Sequence, residues 1–114
     1  MILGTVTITL ITGANKGLGR VFGPIRVMHA FLPLLRASDN PRIVNVSSGA
    51  GSFARILAPG TVENAVTLPI YPATKAALTM LTVQYARALD GILVNAADPG
   101  LPEPTSTTTA APRR

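Results

Sequence analysis

The residues with the most chemistry to offer are Tyr71 and Lys75, which stand at i and i+4 in Tyr71-Pro72-Ala73-Thr74-Lys75. On a helix that spacing puts a phenol and an ammonium on one face, one turn apart. A positive charge beside a phenol stabilises the phenolate, and a tyrosine so placed can give and take a proton near neutral pH. Taken alone, the pair is better read as a lysine whose stem lies over a half-buried tyrosine, because short motifs recur by chance. Three further segments change that balance. A glycine-rich turn, Thr12-Gly13-Ala14-Asn15-Lys16-Gly17-Leu18-Gly19, follows the first apolar stretch. A second stretch ends in a serine pair, Asn45-Val46-Ser47-Ser48, and a third ends in Asp98-Pro99-Gly100.

The elements that must position these residues can be read from periodicity. Thr5 to Thr12 alternates, with Thr5, Thr7 and Thr9 on one side and Val6, Ile8 and Leu10 on the other. A period of two with β-branched residues is a strand, and strict alternation suits a sheet with one buried face. Gly13, Gly17 and Gly19 remove Cβ atoms where a chain turns sharply and a backbone approaches a ligand. A helix starting there aims free N–H groups at an anion, and a pyrophosphate fits. The competing reading is a plain strand-to-helix turn, and the alternating strand directly before the glycines favours dinucleotide binding. Ile25 to Ala37 reads as a helix, with Pro24 suited to its first turn and Pro33 expected to kink it or end it early. His29, the one histidine, belongs on a helix surface or interface, since it has no partners for a metal site. Arg42 to Ser48 is a short buried strand. Gly49 to Pro69 is a long connection of little periodicity with one acid, Glu63, and loops of that length are often lids or binding loops. The helix that Tyr71 opens runs over Ala73–Leu89, with Ala77, Met80, Leu81, Gln84, Tyr85 and Ala88 as its stripe, and Asp90-Gly91 stops it. Ile92 to Ala97 is a third strand. Residues 101–114, rich in Pro and Thr with no apolar period, read as a disordered tail after a single domain over 1–100.

Strand, helix, strand, loop and helix, strand makes two successive βαβ units. Right-handed crossovers would then place three parallel strands side by side, the Arg42 strand in the middle and both helices on one face. Ser48, the glycine turn and Pro99-Gly100 would all fall at the carboxyl edge, where open α/β sheets bind ligands.

Together the glycine turn, the Asn45–Ser48 strand end, Tyr71 with Lys75, and Asp98-Pro99-Gly100 resemble the short-chain dehydrogenase/reductases, in wording the small carbonyl-reductase-like branch. The resemblance implies a Rossmann-like three-layer α/β fold, here reduced to a small parallel sheet with helices mainly on one face. It implies that Ser48 hydrogen-bonds the substrate oxygen, that Tyr71 passes the proton, and that Lys75 supports the tyrosine and holds the nicotinamide ribose. Gly13, Asn15, Lys16, Gly17, Leu18 and Gly19 would bind the cofactor, NADP or NAD, with Tyr71, Lys75, Pro99 and Gly100 beside the nicotinamide. Lys16 hints at the phosphate of NADP, with an exposed loop lysine as the equally weighted alternative on charge grounds. The implied activity is carbonyl reduction or alcohol oxidation on a small substrate. Against the family pattern, Gly19 runs straight into Arg20-Val21-Phe22-Gly23-Pro24, and the strands expected between are missing. Arg20 stands where the family's catalytic asparagine usually sits. The chain therefore reads as internally deleted and C-terminally cut, with impaired activity. The alternatives are a cofactor-binding remnant without turnover and a dimerisation module using the two retained helices, which form a dimer interface in the family.

Composition bounds the rest. A chain of 114 residues has room for one domain, and 47% hydrophobic content is too apolar for a disordered one. No cysteine means no disulfide scaffold and no thiolate metal site, and fits a reducing, cytoplasmic setting. The net charge of +5 is spread along the chain without a basic stripe among aromatics, so no nucleic-acid partner is expected. No apolar run reaches a membrane span, and Met1-Ile2-Leu3 lacks the basic leader of a signal peptide.

Overall fold

The computed structural model describes residues 6–12, 21–65 and 67–100. Three strands, β1 (Thr9–Thr12), β2 (Arg42–Val46) and β3 (Leu93–Ala97), form a parallel sheet in the order β1-β2-β3. Thr9 pairs with Arg42, and Arg42 with Leu93. The middle strand and the parallel pairing agree with the expectation from chained crossovers.

Among the described residues four α-helices accompany the sheet: α1 (Phe22–Arg36), α2 (Phe53–Leu57), α3 (Val62–Ala65) and α4 (Tyr71–Ala88). The long ones, α1 and α4, lie on the same face. Asn45, in the centre of β2, shows this directly, because its side-chain amide reaches both Met28 of α1 and Thr82 of α4. The two helices also meet at their surfaces, where His29 Nε2 lies 2.9 Å from the Tyr85 hydroxyl and the rings meet edge to face. His29 is thus a helix-surface residue, as its isolation in the sequence implied.

Between helices and sheet sits a small core of Met28, Leu35, Ile43, Ile92 and Val94, with Leu78 buried on α4. Each such side chain contributes about 1.5–3 kcal/mol by leaving water. Leu10 faces this core, while Thr7 and Thr9 are exposed as the alternation required. Ile11, pointing the other way from Leu10, is 65% exposed, so among the described residues the opposite face of the sheet stays bare.

Several boundaries differ from expectation. Pro33 does not end α1 early: the helix runs on to Arg36, and the Pro33 carbonyl accepts from Ala37 N. A proline has no N–H of its own to give, but its carbonyl still serves the next turn. The strand pairings are shorter than the β-rich stretches at both ends, β1 starting at Thr9 rather than Thr5 and β2 stopping at Val46. The connection after β2 is not shapeless. A 3-10 turn over Gly49–Gly51 and helices α2 and α3 occupy it, capped by Ser48 and Ser52. α4 begins at Tyr71 itself, two residues before the expected start, because Pro72 needs no N–H partner in a first turn. Gly91, at φ 75°, closes the turn after α4.

The inward face of α4 also differs from the apolar stripe. Lys75, Leu78 and Thr82 are buried, whereas Met80 is 58% exposed and Gln84 and Ala88 are exposed. Hydropathy misplaces the face because the contact with β2 is polar. Thr12 donates to Asn45 Oδ1 at 2.6 Å, Asn45 Nδ2 donates to Thr82 Oγ1 at 2.9 Å, and Thr82 donates to the Leu78 carbonyl at 2.8 Å. Buried polar groups are tolerated when each finds a partner, and here they do. The tail after Gly100 lies outside the described residues.

Candidate functional site

Strand periodicity prepares the site. Ile43, Asn45 and Ser47 point towards the helices, and Ser47 N still bonds the Ala97 carbonyl at 2.8 Å, one residue beyond the pairing of β2 with β3. The Ser47 hydroxyl is 2.6 Å from Thr79 Oγ1 and donates to the Lys75 carbonyl at 3.3 Å. Ser47 therefore fastens the strand end to the first turns of α4. Ser48 comes next, where the chain leaves the strand direction, and its Oγ accepts from Ala50 N at 3.2 Å. Gly51 then packs on the backbone of α4, where an added Cβ would lie 2.7 Å from the Lys75 carbonyl carbon. Only a residue without a side chain fits that approach.

These fixings bring Ser48, Tyr71, Pro99 and Gly100 onto one cavity of about 350 Å³ at the carboxyl edge of the sheet. Tyr71, the first residue of α4, is 40% exposed. Gly100 takes φ 72°, and its N–H bonds Asp98 Oδ1 at 3.0 Å, turning the chain at the end of β3. Lys75 lies deeper. It is 6% exposed, its Nζ donates to the Val46 carbonyl at 2.9 Å, and the ammonium is 5.8 Å from the centre of the Tyr71 ring. That is within reach of a cation–π attraction. The helical spacing of Tyr71 and Lys75 thus brings the two together, while the lysine sits behind the cavity rather than on its wall. Gly13, Asn15, Lys16, Gly17, Leu18 and Gly19 lie outside the described residues.

Two site residues, Arg55 and Glu63, had no site role in the sequence reading, and a third, Asp98, entered it only within the Asp98-Pro99-Gly100 segment. Arg55 of α2 and Glu63 of α3 form an ion pair, with Arg55 Nε 2.9 Å and Nη2 2.8 Å from Glu63 Oε1. Both line the cavity, as does Asp98. Arg55 is 56% exposed and Glu63 14%, and the other carboxylate oxygen, Glu63 Oε2, is buried with no hydrogen-bond partner among the described residues. An orphaned buried acceptor costs about 1–3 kcal/mol. A Cβ at 49 would meet Glu63 Oε1, the end of a flexible side chain, rather than backbone as at 51. The available signal was Glu63 as the one acid of an otherwise small and apolar loop; its pairing with Arg55 depends on how α2 and α3 fold against each other. Ile56, Val62 and Leu68 supply the apolar wall. Among the described residues no cluster of metal-ligating side chains occurs, and no helix is long and apolar enough to cross a membrane.

Residues 20–114 match the family model described as short chain dehydrogenase. The chain is similar to short-chain dehydrogenase anuI of Penicillium roqueforti, 42% identical over 86 residues, which cover 70% of this chain and 34% of that protein. It is similar to fluoren-9-ol dehydrogenase of a Terrabacter species, 42% identical over 88 residues, 70% of this chain and 23% of the relative. It is also similar to (+)-neomenthol dehydrogenase of Arabidopsis thaliana, 48% identical over 50 residues, 41% of this chain and 17% of the relative. The chain thus spans at most about a third of the length of these relatives.

Proposed function

The chain belongs to the short chain dehydrogenase family, and from that premise we propose that it carries the substrate end of an NAD(P)-dependent oxidoreductase interconverting an alcohol and a carbonyl. The observation that carries this reading is the opening of Ser48 and Tyr71 onto one cavity with Pro99 and Gly100. Ser48 Oγ already accepts from Ala50 N. A hydroxyl has one proton and two lone pairs, so its O–H is left to donate to the substrate oxygen. The Tyr71 hydroxyl would pass the proton to or from that same oxygen. Lys75, held by the Val46 carbonyl, would fix the tyrosine ring from behind. The apolar wall of Ile56, Val62 and Leu68 suits a mainly hydrocarbon substrate, and two of the similar proteins are named for alcohols of that kind, fluoren-9-ol and neomenthol.

The residues present suit a nicotinamide cofactor at this edge, because Gly100, in a left-handed turn three residues after β3, puts no side chain of its own beside the cavity. Pro99 and Gly100 would border the nicotinamide, and Gly13, Asn15, Lys16, Gly17, Leu18 and Gly19 would hold the phosphates. When bound, the cofactor supplies or accepts the hydride. Lys16 supports NADP over NAD on charge grounds. A cytoplasmic setting is part of this reading, supported by the absence of cysteine. Pairing of two copies through α1 and α4 is also part of it, supported by exposed Phe31, Leu34, Met80 and Val83, and light scattering would reveal a strict monomer if it is wrong.

The test is direct. Purified chain is mixed with NADPH, or NADH in a parallel series, and a panel of small apolar ketones. Oxidation of the cofactor that disappears in Tyr71→Phe supports the reading. No oxidation with any ketone, and no difference between the chain and Tyr71→Phe, would sink it.

A further inference from the structure

We infer that Glu63 selects the substrate: the alcohol or ketone it favours carries, besides its reacting oxygen and hydrocarbon body, a second hydrogen-bond donor, a protonated amine above all, which the Glu63 carboxylate accepts. The inference rests on the cavity being the substrate site proposed above and names the class of substrate that site takes.

Four observations converge on Glu63. It lines the same cavity as Ser48 and Tyr71. Its position is close to the reacting end, because Gly49, directly after Ser48, is the residue whose added Cβ would strike Glu63 Oε1. Its carboxylate is half used: Oε1 takes both N–H groups of Arg55, while Oε2 is buried and takes none among the described residues. Asp98 brings a second carboxylate to the same cavity, and among the described residues Arg55 pairs with Glu63 alone. Ile56, Val62 and Leu68 give the same wall an apolar part.

A wall of this kind discriminates sharply. Glu63 Oε2 is already shut away from water without a donor among the described residues, which is unfavourable, and a purely hydrocarbon substrate does nothing to relieve it. A substrate with a donor at the right end pairs it, and charge-assisted hydrogen bonds are the strong ones. Sites built to hydrogen-bond a substrate group reject analogues that lack it far better than apolar pockets reject a missing methylene. Arg55 does not take this role, since more than half of its side chain is in solvent and it already holds Oε1. It orients the carboxylate.

The test compares two alcohols of one shape, trans-4-methylcyclohexanol and trans-4-(aminomethyl)cyclohexanol, by titration into the ¹⁵N-labelled full chain with amide shifts as the readout. The aminomethyl compound is expected to bind at least tenfold more tightly. Glu63→Gln should bring the two within about twofold while leaving the methyl compound unchanged. Arg55→Met removes the ion pair but keeps the carboxylate, and should preserve the preference or increase it. A role limited to tying α2 to α3 predicts instead that the two variants behave alike, and that result would overturn the inference. Equal binding of both alcohols to the unaltered chain overturns it too, whatever the variants do. Equal binding leaves the cavity standing as a substrate site; no binding of either alcohol removes that reading and the inference with it.

Discussion

Asn45 Nδ2 donates to Thr82 Oγ1 at 2.9 Å across the buried contact between the central strand and α4. The same amide takes the Thr12 hydroxyl on Oδ1, so one side chain ties two strands and a helix. Leucine at 45 would leave both threonine hydroxyls without this partner. Asn45→Leu is expected to destabilise the chain by about 2–4 kcal/mol, the sum of two stranded polar groups, and in a core this small that is most of the stability. Thr82→Val should cost about 1–2 kcal/mol, and the double variant less than the two together, because both remove one bond. Urea unfolding followed by circular dichroism measures all three; strict additivity would show that the two side chains do not cooperate.

Gly51 and Gly23 make a matched pair. A Cβ at 51 would meet the backbone of Lys75 and Ala76 at 2.7–2.9 Å, while one at 23 meets nothing within 4 Å. Gly51→Ala must push α4 away from the turn and is expected to cost about 1–3 kcal/mol, carrying Tyr71 away from Ser48. Gly23→Ala lies in the first turn of α1 and should be neutral or stabilise by up to about 1 kcal/mol. Thermal melts of the two variants should move in opposite directions, or only the first should move.

At Gly49 the obstacle is a flexible carboxylate rather than backbone. Gly49→Ala should therefore break the Arg55–Glu63 pair at small cost, under about 1 kcal/mol, as expected for a pair with one partner largely in solvent. The same change made on top of Glu63→Ala should cost less still, because the clash is gone. A larger cost in the double variant would contradict the close approach described here.

Tyr71 and Lys75 should separate stability from turnover. The Tyr71 side chain is substantially exposed, so Tyr71→Phe is expected to change unfolding free energy by less than about 0.5 kcal/mol while abolishing any cofactor oxidation. Lys75→Met strips the part-buried Val46 carbonyl of a donor and should cost about 1–3 kcal/mol. If Lys75→Met proves as stable as the unaltered chain, the lysine does not anchor the strand end.

Much of the architecture was legible because it rests on local rules. Alternation at Thr7 to Leu10, the terminal residues Pro72 and Gly91, and the handedness of crossovers are properties of short stretches and of L-amino acids, and they suffice for three parallel strands with two helices on one face. The spacing of Tyr71 and Lys75 determined that they share a helix face, and topology placed Ser48 and Gly100 at the same edge. What tertiary structure alone decided was which face of α4 turns inward. Hydropathy selects Met80 and Ala88, but Lys75, Thr79 and Thr82 face β2 because Asn45, Ser47 and the Val46 carbonyl offer partners there. A polar side chain is buried cheaply only when its partner stands opposite, and the partner comes from a strand 37 residues away. The Arg55–Glu63 wall has the same character: both residues are plain in the sequence, and only the folding of α2 against α3 over Gly49 turns them into one side of the cavity.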